Sequence, residues 1–151
     1  MRFKINKYII LPAGAILVAA GALGIFWGSQ KSAPAMIPVY EDYSTEEKAL
    51  ISLMINELSG AAKDFYQEYL TIQPSVFNYL VEVKQLEDVA DMDMRITFLL
   101  HPFVGAHNFI GDDEATFTID SEGNVELLAY HHLKGYKLPE HLSSYLIKPL
   151  P

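Results

Sequence analysis

The residues best suited to chemistry lie in a polar interruption between two strand-like stretches, where the sequence reads Gly105-Ala106-His107-Asn108. An imidazole in such a place is able to act as a base, an acid or a ligand, with Asn108 and Asp112 to orient it. In the structural alternative, Gly105 and Asn108 supply positive φ angles and His107 pins the loop by donating to a backbone carbonyl. We favour this alternative, and treat Gly105, His107, Asn108 and Asp112 as binding or structural turn candidates, with no catalytic residue assigned.

A metal site is a second possibility, because side chains able to bind a cation are frequent in this half of the chain. Zinc needs three or four nitrogen or oxygen ligands that converge on one point. The sequence offers no recognised ligand spacing, and residues 112–114 are better interpreted as a solvated acidic turn. We therefore predict no metal and no cofactor. The potential ligands considered are His101, His107, Asp112, Asp113, Glu114, His131 and His132.

Other chemistry has less support. The serines occupy turn or cap contexts outside any Gly-x-Ser-x-Gly elbow, and the sequence contains no phosphate-binding glycine loop. An aromatic pocket could form at the open end of a curved sheet, but aromatic residues at strand and helix periods are more often core, which we favour here. The residues concerned are Tyr66, Tyr69, Phe77, Tyr79, Phe98, Phe117 and Tyr130.

Charge is distributed unevenly along the chain. The whole chain carries −8 and residues 1–31 carry +4, so residues 32–151 carry −12. A domain this acidic repels phosphate backbones, so nucleic acid is not expected as a partner. The absence of cysteine excludes disulfides, thiolate metal sites and a cysteine-linked lipid anchor.

The sequence of the N-terminal segment indicates that the protein is targeted to a membrane. Residues 8–27 contain no Asp, Glu, Lys or Arg, and their length suits a helix that crosses about 30 Å of hydrocarbon. Basic residues precede the segment, which places the N-terminus in the cytoplasm and the acidic domain outside. A cleaved signal peptide is the alternative, with residues 33–35 as the cleavage site and secretion as the result. We thus divide the chain into an anchor or signal peptide (1–31), a linker (32–43) and an extracytoplasmic domain (44–151).

The domain begins with a long helix. Ser44 and Glu47 have the spacing of a capping box, and apolar residues recur at three- and four-residue intervals over residues 46–70. Pro74 follows, after which the apolar period changes to two.

Four strands are predicted beyond this point. The alternation covers residues 77–83, 94–100, 115–119 and 125–132, with an acidic connection at 86–93 and a hairpin in which Gly123 takes a left-handed conformation. Pro139 begins a short final helix. A helix followed by an antiparallel meander predicts an α+β fold, in which the helix packs on a curved four-stranded sheet. Cystatin-like and NTF2-like rolls have this arrangement.

The order of these elements resembles an uncharacterised family of exported domains from Gram-positive spore-forming bacteria. The resemblance covers about residues 45–133 and rests on the Gly105-Ala106-His107-Asn108 turn and the Thr-Phe strand that follows. This chain has Phe109-Ile110 where that family has prolines. The family is a domain of unknown function, so the resemblance implies a topology and no activity.

These observations favour a membrane-tethered or exported, non-enzymatic module that binds a protein or another envelope component. The alternative is a small extracytoplasmic hydrolase, or a metal- or ligand-binding domain, centred on His107.

Overall fold

The computed structural model describes residues 42–89 and 93–151, which form the mixed α+β fold predicted from the sequence. One helix, α1 (Thr45–Tyr66), packs on an antiparallel sheet of four strands. The predicted membrane helix or signal peptide (residues 1–31) lies outside the described residues, as does most of the predicted linker (32–43). Within the described ranges, no helix is both long enough and apolar enough to cross a membrane.

The start of α1 is held by the predicted capping box. Ser44 Oγ accepts a hydrogen bond from the Glu47 backbone N–H at 3.1 Å, and Glu47 Oε2 accepts one from the Ser44 N–H at 2.8 Å. Such a cap is typically worth about 1 kcal/mol. The helix ends at Tyr66, earlier than the predicted Leu70, because the N–H groups of Tyr69 and Leu70 both bond to Tyr66 O and tighten the chain into a turn.

The main core lies between α1 and one face of the sheet. The helix contributes its predicted apolar stripe, and the strands contribute alternate residues, as a half-buried sheet requires. Each large aliphatic side chain buried here contributes about 1.5–3 kcal/mol. The buried members include Ile51, Met54, Leu58, Ala61, Ala62, Val81, Ile96, Phe98, Leu100, Ala115 and Phe117.

The sheet has the order β1-β2-β5-β6. Its strands are β1 (Val81–Asp88), β2 (Met94–Leu100), β5 (Gly111–Ile119) and β6 (Val125–Gly135). β2 matches its predicted limits, and β6 contains the predicted fourth strand and continues three residues further. The hairpin between β5 and β6 uses Gly123 at φ +80°, as predicted.

The first predicted strand is wrong over residues 77–80. The Leu80 N–H donates to Phe77 O at 2.8 Å, which closes a 3₁₀ turn (Asn78–Leu80), and β1 starts only at Val81. Phe77 and Tyr79 are 44% and 39% exposed, so the prediction that they belong to the core is also wrong. At its other end β1 runs to Asp88, into residues predicted to be connection.

The third strand starts earlier than predicted, because β5 begins at Gly111 rather than Ala115. Asp113 pairs with Leu100 of β2, and Glu114 pairs with Leu99. The prediction of a solvated acidic turn at 112–114 is therefore wrong. The carboxylate of Asp113 is fully buried in the strand.

Two smaller features complete one end of the domain. The short strands β3 (Phe103–Val104) and β4 (Asn108–Phe109) pair around the Gly105–His107 turn. The predicted final helix is a 3₁₀ helix (Glu140–Tyr145) that follows Pro139. It closes a second core over the C-terminal end of α1, which contains Tyr66, Leu70, Val104, Ile110, Leu138 and Leu142.

Candidate functional site

The turn between β3 and β4 has an unusual backbone. Gly105 has φ +56°, and His107 has φ +60°, a left-handed conformation that costs a non-glycine residue about 1–3 kcal/mol. Among the described non-glycine residues, His107 is the one with positive φ, so the prediction of that role for Asn108 is wrong. Asn108 instead lies in β4, where its side-chain amide donates to Val104 O at 3.2 Å.

The His107 side chain is held among aromatic rings at the surface. Its imidazole stacks on Phe103, with ring centroids 4.7 Å apart and planes 6° apart. Its Nε2 lies 2.7 Å from the hydroxyl of Tyr79, a side-chain partner in place of the predicted backbone carbonyl. Phe77 packs edge-on against Phe103 at 5.0 Å. Several contacts therefore fix the position of the His107 ring. Together they hold the backbone of His107 in its strained conformation.

We call the exposed residues of this region the turn surface: Phe77, Tyr79, Gly105, Ala106 and His107. Segment 75–80 is fixed to the turn by backbone hydrogen bonds. Ser75 and Phe103 exchange two, at 2.8 and 3.1 Å, and the His101 N–H donates to Leu80 O at 3.0 Å. The 3₁₀ turn and the β3–β4 hairpin therefore present their aromatic side chains together.

Asp112 does not orient His107. Its Oδ1 lies 2.7 Å from His101 Nδ1, and its Oδ2 accepts a hydrogen bond from the Tyr136 hydroxyl at 2.5 Å. The Lys134 ammonium in turn donates to that hydroxyl at 2.9 Å. Asp112 thus belongs to a partly buried network on the other side of β5 from Asp113, because successive strand residues point to opposite faces.

Asp113 lies at the centre of a second group, the buried carboxylate cluster, with Tyr66, Tyr130 and His132. Its Oδ2 accepts hydrogen bonds from the hydroxyls of Tyr66 at 2.9 Å and Tyr130 at 2.7 Å. Its Oδ1 lies 2.6 Å from His132 Nδ1. An ionised carboxylate without such partners would cost several kcal/mol in the interior, so these donors are what permit its burial.

His132 connects this cluster to the C-terminal segment. Its Nε2 lies 3.1 Å from Pro151 O, while its Nδ1 faces Asp113. Each of the two ring nitrogens therefore lies within hydrogen-bond distance of an oxygen atom. Phe65 covers the ring in a stacked contact at 5.7 Å. The cluster is therefore shielded from solvent by α1 and by the segment that ends the chain described here.

Burial and the neighbouring carboxylate both act on the tyrosines of the cluster. Burial first, and the negative charge of Asp113 second, raise the pKa of Tyr66 and of Tyr130 far above the ordinary value of 10.0. The pKa of Tyr136 is raised in the same direction, by burial and by its hydrogen bond to Asp112. These hydroxyls stay protonated, so they act as hydrogen-bond donors and not as bases.

The structure separates the potential metal ligands. His101 and His132 each meet their own aspartate, while His107 and His131 are exposed elsewhere. Over residues 42–89 and 93–151, no three side chains of histidine, aspartate or glutamate are placed to share a metal ion.

A cleft lies at the C-terminal end of α1. It is lined by Lys63, Gln67, Leu70, Thr71, Ile72, Gln73 and Pro74, which include neither a histidine nor a carboxylate.

The buried carboxylate cluster was not predicted from the sequence, although one sequence pattern points to it. Ala115 and Phe117 were assigned to a buried strand face, and the same two-residue period carried backwards places Asp113 and Gly111 on that face. The acidic run at 112–114 concealed the pattern, since three successive acids are normally solvated.

A comparison with known protein families gives one match. A family model described as "Protein of unknown function (DUF3888)" covers residues 46–134, from the first turn of α1 almost to the end of β6. The chain belongs to this family. Both the turn surface and the four members of the buried carboxylate cluster fall within the matched range, whereas Pro151 lies beyond it. No similar curated protein and no similar solved structure was found.

Two glycines provide a matched test of the buried carboxylate cluster. A Cβ at Gly111 would overlap the Tyr66 hydroxyl and would lie 2.7 Å from His132 Cε1, whereas a Cβ at Gly60 meets nothing within 4 Å. We expect Gly111→Ala to lower the unfolding free energy by about 1–3 kcal/mol through overpacking. Gly60→Ala, in the helix, should raise it by up to about 1 kcal/mol. Urea denaturation measures both, and equal effects would contradict the proposed steric role of Gly111.

The raised tyrosine pKa values predict alkaline destabilisation. Above pH 10.0 the unfolded chain releases tyrosine protons that the folded chain retains, so the unfolding free energy falls as pH rises. Each such tyrosine contributes about 1.4 kcal/mol per pH unit. Tyr130→Phe should make the decline shallower by that amount, measured by denaturation between pH 9 and 11, while Leu86→Ala leaves it unchanged. An unaltered slope in Tyr130→Phe would show that this hydroxyl ionises equally in both states.

Proposed function

We propose that this chain is a non-enzymatic binding module that is tethered at the cell envelope and holds its partner through the turn surface. The observation that carries the proposal is the exposure of aromatic rings that are nevertheless rigidly fixed. Phe77 and Tyr79 are more than a third exposed, and His107 is held in a strained conformation between Phe103 and Tyr79.

Exposed, ordered aromatic side chains are common at binding sites for physical reasons. They bring a large contact area and lose little conformational entropy on binding. Leaving a ring such as Phe77 in water forgoes part of the roughly 1.5–3 kcal/mol that full burial would contribute. Positive φ at His107 adds a further cost. Neither cost serves the core between α1 and the sheet, and the cost of exposing Phe77 is recovered if a partner covers the surface.

A hydrolase centred on His107 has less support. The imidazole Nε2 contacts a tyrosine hydroxyl, and the carboxylate once considered for its orientation, Asp112, is engaged with His101 and Tyr136. Neither of the two aspartate–histidine pairs that do form includes a residue of the turn surface, and Asp113 is fully buried. A binding role accounts for the exposed side chains without a reacting group.

Envelope location is supported by the sequence before the domain. The uncharged stretch at residues 8–27 and the basic residues ahead of it support a single membrane span with the N-terminus in the cytoplasm. The proposal also retains a curved, roll-like sheet. Register shifts after Val83, Asp112 and Thr116 support it, because bulges of this kind bend strands.

The topology is tested by protease treatment of intact cells that express the full chain with tags at both ends. We expect external protease to remove the C-terminal tag and to spare the N-terminal tag until the cells are lysed. A culture medium that contains the whole C-terminal fragment before protease is added would indicate secretion after cleavage. Protection of both tags would place the domain inside and contradict the proposal.

The binding surface is tested by photo-crosslinking from within the membrane-inserted full chain. A photoreactive phenylalanine at position 77 should form a discrete adduct, whereas the same residue at position 86, where Leu86 is 54% exposed on β1, should not. His107→Gly relieves the positive φ and removes the ring, so it should abolish the adduct without lowering stability. Equal adducts at both positions, or an adduct that survives His107→Gly, would contradict a binding role for the turn surface.

A further inference from the structure

The segments that build the turn surface differ in charge from the rest of the domain. Residues 69–81 and 96–111 contain no Asp, Glu, Lys or Arg, although residues 32–151 carry −12 overall. Ser52, the α1 residue whose hydroxyl accepts from the Asn78 amide at 3.0 Å, is uncharged as well. An uncharged, aromatic region is thus joined to a strongly acidic body.

This distribution restricts the chemistry of the ligand. The acidic body repels anionic polymers and anionic lipid surfaces at distances up to about the Debye length, roughly 8–10 Å. A basic peptide would be drawn to the carboxylates elsewhere, since neither segment of the turn surface supplies one. An uncharged ligand is not repelled by the acidic residues, and it binds without forming an ion pair. The charge distribution therefore favours an uncharged ligand.

The rings form a platform suited to such a ligand. The imidazole of His107 lies parallel to Phe103, which is 3% exposed, and therefore presents its other face outward. The Tyr79 ring is inclined by 30° to the imidazole, with centroids 6.4 Å apart. Flat aromatic faces attract the C–H faces of sugar rings through dispersion and through the negative potential of the ring.

Uncharged hydrogen-bonding groups border the platform. The side-chain amides of Asn78 and Asn108 each donate internally, to Ser52 Oγ and to Val104 O, which fixes their orientation. The Tyr79 hydroxyl and the His107 ring add two further polar groups. Sugar hydroxyls both donate and accept hydrogen bonds, so they match neutral amides, hydroxyls and imidazoles without a charge on either side.

We infer that the turn surface binds an uncharged saccharide chain, with sugar rings stacked on His107 and Tyr79 and the edge of Phe77 against them. The inference rests on the proposed binding function and names its ligand class. With this ligand, the domain is a binding module for uncharged glycans at the cell surface.

The test uses the full chain in detergent micelles and a soluble tetramer of N-acetylglucosamine as the probe, followed by calorimetry and by saturation-transfer NMR. We expect saturable binding that changes less than twofold between low and high salt, because no ion pair forms. Phe77→Ala and His107→Gly should each weaken binding at least tenfold, and Leu86→Ala should leave it unchanged. Tyr79→Phe, the mildest change, retains the ring and should weaken binding only a few-fold.

Circular dichroism of each variant ensures that lost binding is not lost folding. If Phe77→Ala alone unfolds the domain, His107→Gly and Tyr79→Phe decide the outcome. Absence of saccharide binding, or binding that persists in His107→Gly, overturns the inference. Binding to phosphatidylcholine vesicles that depends on Phe77, with none to the saccharide, also overturns it in favour of a lipid surface.

The two proposals fail in different ways. If position 77 forms its adduct in the membrane while the saccharide does not bind, the turn surface is a binding site and the ligand class is wrong. If both the adduct and saccharide binding are absent, the binding function itself is wrong.

Discussion

The burial of one carboxylate constrains more of this domain than any other interaction. Asp113 lies within β5 with no exposed surface, where an uncompensated charge would cost several kcal/mol. Its partners come from α1, through Tyr66, and from β6, through Tyr130 and His132. The helix can therefore take only a narrow range of positions on the sheet. Gly111 is part of the same constraint, because a larger residue would displace the Tyr66 hydroxyl.

This cluster and the turn surface have opposite physical characters. The cluster is polar and enclosed, with each of its hydroxyls hydrogen-bonded and its tyrosines kept protonated. The turn surface is aromatic and open, and its order comes from ring stacking, from a side-chain hydrogen bond at 2.7 Å and from the backbone hydrogen bonds that join segment 75–80 to Phe103 and His101. The interior, which is mostly apolar, therefore encloses a polar cluster, while aromatic rings face water at the turn surface. Phe77 and Tyr79 belong to neither of the two hydrophobic cores.

Charge sets the relation of the domain to its surroundings. Residues 32–151 carry −12, and the uncharged segments 69–81 and 96–111 interrupt this acidic charge at one region. The match to the DUF3888 family, over residues 46–134, includes both the buried carboxylate cluster and the turn surface. In this chain, α1, β5 and β6 build the buried carboxylate cluster, whereas the 3₁₀ turn and the β3–β4 hairpin build the turn surface.

Much of the architecture follows from local sequence patterns. The capping box of Ser44 and Glu47, the limits of β2 and the left-handed Gly123 all depend on residues close together in the chain, where spacing and propensity act directly. The mixed α+β fold follows from the change of hydrophobic period after Pro74.

Tertiary contacts decided the rest. Alternation indicated that residue 77 was buried, and the acidic run at 112–114 indicated that residue 113 was solvated. The structure shows the reverse in both cases. Asp113 is buried because donors 47 residues earlier and 17 and 19 residues later converge on it. Phe77 is exposed because a turn hydrogen bond interrupts the strand before Val81. The sequence by itself determined the elements and their order, since these rest on short-range patterns. The burial of Asp113 and the exposure of Phe77 depended on residues that are distant in the sequence. A local hydrophobic period does not encode the positions of such residues.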